Sequence, residues 1–318
     1  ILLSTAAFAQ DKVVFGTNWL AQAGHGGFYQ AVADGTYEKY GLDVDIQMGG
    51  PQVNNRPLLA AGRLDFLMGG NMLQAFDNVR NGIPTVVVAA MFQKDPQAML
   101  AHEGAYESFA DLANAETIYI GKDAQFSFWK WMTANHGFKD ESLRPYAYNI
   151  GPFLSDKSVV QQAYATAEPI YAANEGVATD IFLLADNGWD TYSTTIEARS
   201  EMVEENPDLV KRFVEASIIG WYNFLYGDPQ AAFDLIVADN PDMTVEALQK
   251  EIDLMNELGI VDSGLALEKG IGAMDPARTA AFLKEMEGAG VVDAGAVDID
   301  KVASYDFINN GIGLELRK

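Results

Sequence analysis

The residues best suited to chemistry are ones that could grip a small molecule. Val13-Val14-Phe15-Gly16-Thr17-Asn18-Trp19 reads as an apolar strand running into a loop, and Gly24-His25-Gly26-Gly27-Phe28-Tyr29 opens a helix. In open α/β sheets, ligands sit at the carboxyl ends of strands, beside the helix that follows. Trp19 offers a face for stacking a planar ring, worth about 0.5–1.5 kcal/mol beyond area burial. Its plain alternative is packing between its lobe and a helix. His25 could donate or accept a hydrogen bond and respond to pH near neutrality; alternatively it is an ordinary loop residue. Gly69-Gly70-Asn71 ends a second strand and opens a helix, where spare N–H groups of Gly70 and its neighbours would suit a carboxylate, a sulfonate or a ring oxygen. A tight turn explains that sequence equally well. Gln93 leaves an apolar strand with an amide able to serve mixed donors and acceptors.

Further along, Phe126 and Trp129 begin a helix after Gly121-Lys122-Asp123. Aromatic residues at helical spacing usually form core, and Phe126, nearest the helix start, is the better ring contact. Glu168 precedes Pro169 after a run of small residues, and its carboxylate could accept from an amino group or a protonated ring nitrogen. The alternative is a solvated glutamate. Lys94, Lys122 and Lys130 are the basic residues near these stretches. No arginine fork for a sulfonate or phosphate is therefore evident.

The elements that must position these residues alternate. Strands are expected over 13–15, 42–46, 65–68 and 85–91, with helices over 28–40, 55–61 and 71–80 between them. This rhythm predicts a parallel sheet with helices on its faces. A second, smaller α/β unit follows, with strands over 117–120, 145–150 and 181–184 and helices over 108–114, 125–136 and 156–164. Residues 192–198 alternate again and cross back to the first lobe. From Ser200 on the pattern is helical, over 209–226, 231–238, 245–258 and 276–288, and these helices are expected to pack on the first lobe. The division is 10–101 with 192–318 as lobe I, and 102–191 as lobe II.

Composition narrows the partners. Forty-five Asp and Glu against 21 Lys and Arg leave a formal charge of −24, which argues against nucleic acid or an anionic membrane surface. The chain has no cysteine, which excludes thiol catalysis, zinc ribbons and disulfide stapling. No metal site or cofactor is indicated. The nucleophile elbow, zinc-protease helix, P-loop and dinucleotide-binding motifs are also missing. Residues 1–9 end in Ala7-Phe8-Ala9, as the remnant of a signal peptide would. Export to the periplasm is expected, and protein recovered from cells should lack this stretch and fractionate away from cytosol.

The residues then resemble a known family. Asn18-Trp19, His25, Phe28-Tyr29-Gln30-Ala31, Tyr40-Gly41-Leu42-Asp43-Val44, Gly82-Ile83-Pro84-Thr85-Val86-Val87, Phe92-Gln93-Lys94-Asp95-Pro96 and Ala167-Glu168-Pro169 are similar to the periplasmic solute-binding proteins of the nitrate/sulfonate/thiamine-pyrimidine-precursor class. The resemblance extends through 207–229 and covers nearly the whole chain. It implies a type II periplasmic binding protein fold, with two α/β lobes, two crossover strands and a ligand cleft between them. It also implies a monomer delivering a small molecule to an ABC permease in the inner membrane, and it places Glu168 at the cleft. The implied ligand is a heteroaromatic related to thiamine precursors. Trp19 and Phe126 would sandwich the ring, and Glu168, His25, Asn71 and Gln93 would read its edges. Alkanesulfonate, nitrate and riboflavin-like solutes are alternatives. A branch of pyrimidine synthases shares the scaffold but carries a cysteine-rich motif that this chain lacks. A chemoreceptor-coupled sensor is a third possibility.

Overall fold

The computed structural model describes residues 10–318 apart from 51, 52, 54 and 148; the expected signal-peptide remnant lies outside the described residues. β1 (Asp11–Gly16) buries Val13 and Phe15. It runs parallel to β2 (Leu42–Gln47), pairing Asp11 with Leu42 through to Gly16 with Gln47. β2 alternates buried and exposed residues, as its sequence Leu-Asp-Val-Asp-Ile-Gln requires of an edge strand covered on one face. The helix expected over 28–40 is broken into Gly26–Ala33 and Thr36–Lys39. Gly35 divides them by adopting φ 71°, a left-handed conformation that glycine reaches without steric cost. β3 (Phe66–Asn71) and the almost wholly buried β4 (Thr85–Phe92) complete the first run of strands.

The chain then enters a second sheet built from β5 (Gln97–His102), β6 (Ile118–Ile120), β7 (Leu143–Pro145), β8 (Val160–Tyr164) and β9 (Thr179–Leu183), in the order β7-β6-β8-β5-β9. β5 pairs antiparallel with both β8 and β9. The lobe boundary expected at 101/102 is thus too late, and the crossing occurs over 93–96. Residues 160–164, expected within a helix, form β8 between β6 and β5, where sheet pairing overrides local propensity. The strand expected over 145–150 is β7 instead, ending at Pro145, and a short helix Gly151–Ser155 follows.

β10 (Ser193–Arg199) returns to the first sheet and inserts between β3 and β4, antiparallel to both, giving the order β2-β1-β3-β10-β4. The first sheet is mixed, where a purely parallel one was expected. The chain re-enters lobe I at the end where β4 left it, so the returning strand must run the opposite way.

Helices from the C-terminal third cover lobe I, and Pro207–Tyr226 lies across the helix Gly26–Ala33. The two backbones approach so closely that a Cβ on Gly220 would meet the Gly27 carbonyl oxygen at 2.3 Å, and one on Gly27 would meet the Trp221 ring at 2.2 Å. The helix Pro276–Gly288 also reaches lobe II: Phe282 packs edge-on against Trp189, with centroids 5.2 Å apart, and Glu285 accepts from Trp131 Nε1 at 2.7 Å. Near its start, Arg278 braces both crossings. It donates to Gln93 O at 2.7 Å and through Nε to Asp190 at 2.8 Å, and it lies 4.1 Å above the Tyr192 ring.

Gly27→Ala forces a methyl into the Trp221 ring, and overpacking of this kind costs about 1–3 kcal/mol. The variant is expected to melt several degrees below the parent in a thermal denaturation scan. Gly288→Ala, which meets nothing within 4 Å, should melt with the parent.

Candidate ligand-binding site

The loop after β1 is held by one hydroxyl. Thr17 Oγ1 donates to Trp19 O at 2.9 Å and accepts from Gly49 N at 3.2 Å. Thr17 itself is buried, while Trp19 remains 36% exposed. Its exposed face belongs to the lining of the cleft between the two sheets. The cleft has two connected compartments of about 460 and 790 Å³, which share Asn18, Trp19, Gln97, Gln162 and Tyr164 as their common wall.

The smaller compartment is aromatic. Tyr146, Tyr164 and Tyr171 line it from lobe II, and Trp19, His25 and Met68 from lobe I. Glu168 sits in the first turn of Glu168–Asn174, where an acidic residue favours the helix dipole. Its Oε2 accepts from Tyr164 N at 2.7 Å and its Oε1 from the Tyr146 hydroxyl at 3.2 Å. Burial pushes this carboxyl above its ordinary range, partly offset by those hydrogen bonds.

His25 lines the same compartment but is only 1% exposed. Its Nδ1 has no hydrogen-bond partner among the described residues. Burial drives its pKa down to about 3, so the ring is neutral at physiological pH. The expectation of a charge that responds near neutrality is corrected accordingly. Behind it, Glu251 from Val245–Glu257 accepts from Ala23 N at 3.1 Å, and burial raises that carboxyl to about 8.

The larger compartment has a polar floor and two unlike walls. Gly70, Asn71, Asp95, Ser193 and Thr194 form the floor. One wall is the face of Met72–Arg80 carrying Gln74, Asp77 and Asn78, extended by Asn81; the other includes Phe126, Phe128, Val291 and Val292. Phe126 is 69% exposed. The spare amides expected at Gly70 and beyond are occupied. Gly70 N donates to Gln74 Oε1 at 2.8 Å, Met72 N to Tyr192 O at 3.3 Å, and Leu73 N to Asn71 Oδ1 at 3.1 Å. Asn71 caps the helix with its oxygen and donates from Nδ2 to Asp95 at 2.9 Å. It therefore shapes the floor and contributes little to an anion site.

Two expected contacts lie outside both compartments. Gln93 is buried and turned toward the C-terminal segment, where its Nε2 donates to Ala273 O at 2.8 Å. Trp129, 2% exposed, faces the interior of lobe II, donating to Asp140 at 2.8 Å with its ring against Phe138. Helical geometry explains the latter, because successive side chains point about 100° apart and Phe128 takes the cleft side. The expected shortage of arginine is also corrected: Arg56 and Arg80 both line the larger compartment. Each comes from a helix remote in sequence from the lysines considered first. Gln97 and Gln162 also line both compartments; they stand on β5 and β8, strands not expected from the sequence.

The two buried titrating groups predict opposite limbs of a pH–stability curve. His25 titrates near 6.5 unfolded and about 3 folded, so its contribution is complete above pH 6.5 and is lost as pH falls toward 3. Glu251 titrates at 4.5 unfolded and about 8 folded, so its contribution is complete below pH 4.5 and is lost as pH rises through 8. Melting temperatures across pH 4–9 should show a shallower acid limb for His25→Gln and a shallower alkaline limb for Glu251→Gln. An unchanged limb in either variant removes that residue from the account.

With this geometry in hand, comparison with known proteins is informative. Residues 22–232 match the family model described as NMT1/THI5 like. The chain is 25% identical over 239 residues, 73% of its length and 67% of the relative's, to the riboflavin-binding protein RibY of Chloroflexus aurantiacus. Among solved structures it is similar to the periplasmic aliphatic sulphonate binding protein SsuA of Escherichia coli, with a TM-score of 0.65, 14% identity and 92% of each chain covered. It also shares its fold with the desulfurization enzyme DSZB, with a TM-score of 0.58, 12% identity and 94% and 97% of the two chains covered. The chain belongs to the NMT1/THI5-like family and has the two-lobed periplasmic binding protein fold.

Proposed function

We propose that this protein is the periplasmic substrate-binding component of an ABC importer and that it takes a planar heteroaromatic solute. The observation that carries this reading is the exposed Trp19, standing where both compartments meet, opposite a tyrosine-lined pocket that holds Glu168. A ring stacked on Trp19 presents its polar edge to Glu168, and the neutral His25 ring lies on the same compartment wall. Because Trp19 and Glu168 belong to different lobes, only a closed cleft makes both contacts. Ligand binding then shifts the open–closed equilibrium toward closed, which is the form a permease would receive.

Two ring sizes are supported. The family resemblance favours a pyrimidine related to thiamine precursors. The volume of the cleft and the riboflavin-binding relative favour a fused, flavin-sized ring, since cavities of several hundred Å³ suit ligands larger than one ring. Bare anions are disfavoured because the helix N-terminus at the cleft floor has its amides occupied. Catalysis on the same scaffold, as by a pyrimidine synthase, finds no thiol in this chain and would announce itself as turnover.

Calorimetry with pyrimidines, riboflavin, alkanesulfonates and nitrate tests the proposal. A heterocycle should bind stoichiometrically without turnover, and Trp19→Ala should weaken it about tenfold or more. Micromolar binding of nitrate or an alkanesulfonate, with no heterocycle bound, would falsify the stacking account.

A further inference from the structure

We propose that the larger compartment is a subsite for an uncharged, hydroxylated arm carried by the ring, so that the solute is a heteroaromatic polyol or glycoside and not its phosphate ester. This rests on the preceding reading that the ring occupies the smaller compartment.

The arm's wall is one face of a single helix. Gln74, Asp77, Asn78 and Asn81 recur at spacings of three and four residues along Met72–Arg80 and just beyond it, and all four line the compartment. A ring against Trp19 lies at the junction of the two compartments, so a substituent leaving it on that side enters the compartment that this face lines. Asn78 is spent within the protein, accepting from Arg56 and donating to Thr85 and Glu197. The Gln74 and Asn81 amides and the Asp77 carboxylate still offer donors and acceptors together, which suits hydroxyl groups that both give and take a hydrogen bond.

The charged groups of this compartment are already engaged within the protein, two as an ion pair and the others by hydrogen bonds to neutral groups. Arg80 Nη2 lies 3.1 Å from Asp77 Oδ1. Arg56 donates to Asn78 Oδ1 at 2.6 Å and to Gln74 O at 3.1 Å. Asp95, in the floor, accepts from Asn71, Trp189 and the Gln97 amide. A phosphate would need a fork or a helix N-terminus. The nearest N-terminal amides are taken, and the Asp77 carboxylate stands in the same wall.

The test uses matched ligand series on the intact protein: lumiflavin, riboflavin and flavin mononucleotide, and in parallel thymine, thymidine and thymidine monophosphate. In whichever series binds, the neutral member bearing the arm should bind about tenfold or more tighter than the ring alone, and the phosphate should bind more weakly than that member. Asn81→Ala, at an exposed position, should cost affinity for the arm-bearing member and leave ring-only affinity unchanged. Asp77→Ala should in addition narrow the gap between the neutral and phosphorylated members. Trp19→Ala should weaken ring-only and arm-bearing members alike. Equal binding of ring and ring-plus-arm, or tightest binding of the phosphate, overturns the subsite while leaving the ring site standing. Binding by no member of either series removes the ring site itself, and the subsite with it.

Discussion

The cleft depends on a buried carboxylate at the point where the chain passes between lobes. Asp95 lies in the first crossing; it accepts from Asn71 at the end of β3, from the indole N–H of Trp189 in the second crossing, and from the amide of Gln97 at the start of β5. Hydrogen bonds to a charged group are worth about 1.5–3 kcal/mol each, against a desolvation cost of several kcal/mol for a carboxylate removed from water. Burial raises its pKa and the three bonds pull it back. The net energy is therefore modest, but the geometric consequence is large. Three segments from different parts of the sequence meet on one side chain, and two of them, Asn71 and Gln97, line the cleft.

Around that point the polar groups of the floor are largely spoken for. The first two amides of the helix Met72–Arg80 are satisfied by the Tyr192 carbonyl and the Asn71 side chain, and the Gly70 amide just before it by Gln74. A helix N-terminus is ordinarily a ready anion site, and here the protein's own side chains fill it. The proposed recognition accordingly relies on an exposed aromatic face, a partly desolvated carboxyl and a wall of polar side chains. Proteins similar to this chain in sequence or fold carry names as different as riboflavin-binding and sulphonate-binding, as expected where a scaffold is shared and function lies in the site built on it.

The helix Pro276–Gly288 adds a constraint on lobe movement. It belongs to lobe I by sequence continuity, yet Phe282 and Glu285 engage Trp189 and Trp131, and Arg278 grips both crossings. The chain passes between the sheets over 93–96 and 184–192, and this helix packs across both crossings.

Much of this was readable in advance. Period-two alternation marks β2, and apolar runs mark β1 and β4. Turn and cap residues bounded Met72–Arg80 and Pro276–Gly288 to within a residue, because those signals are local. Trp19 could be singled out because it follows a strand and enters a glycine-bearing loop. What only the tertiary structure decided was anything that depends on pairing at a distance. β5 and β8 carry glutamines that spoil their local pattern and become strands only through each other. Trp129 and Phe128 are indistinguishable by type, and the packing of lobe II selects which one sees the cleft. Arg56 and Arg80 reach the site from helices whose placement no spacing reveals. His25 illustrates the limit most plainly: its position beside the cleft followed from sequence, while its protonation followed from burial alone.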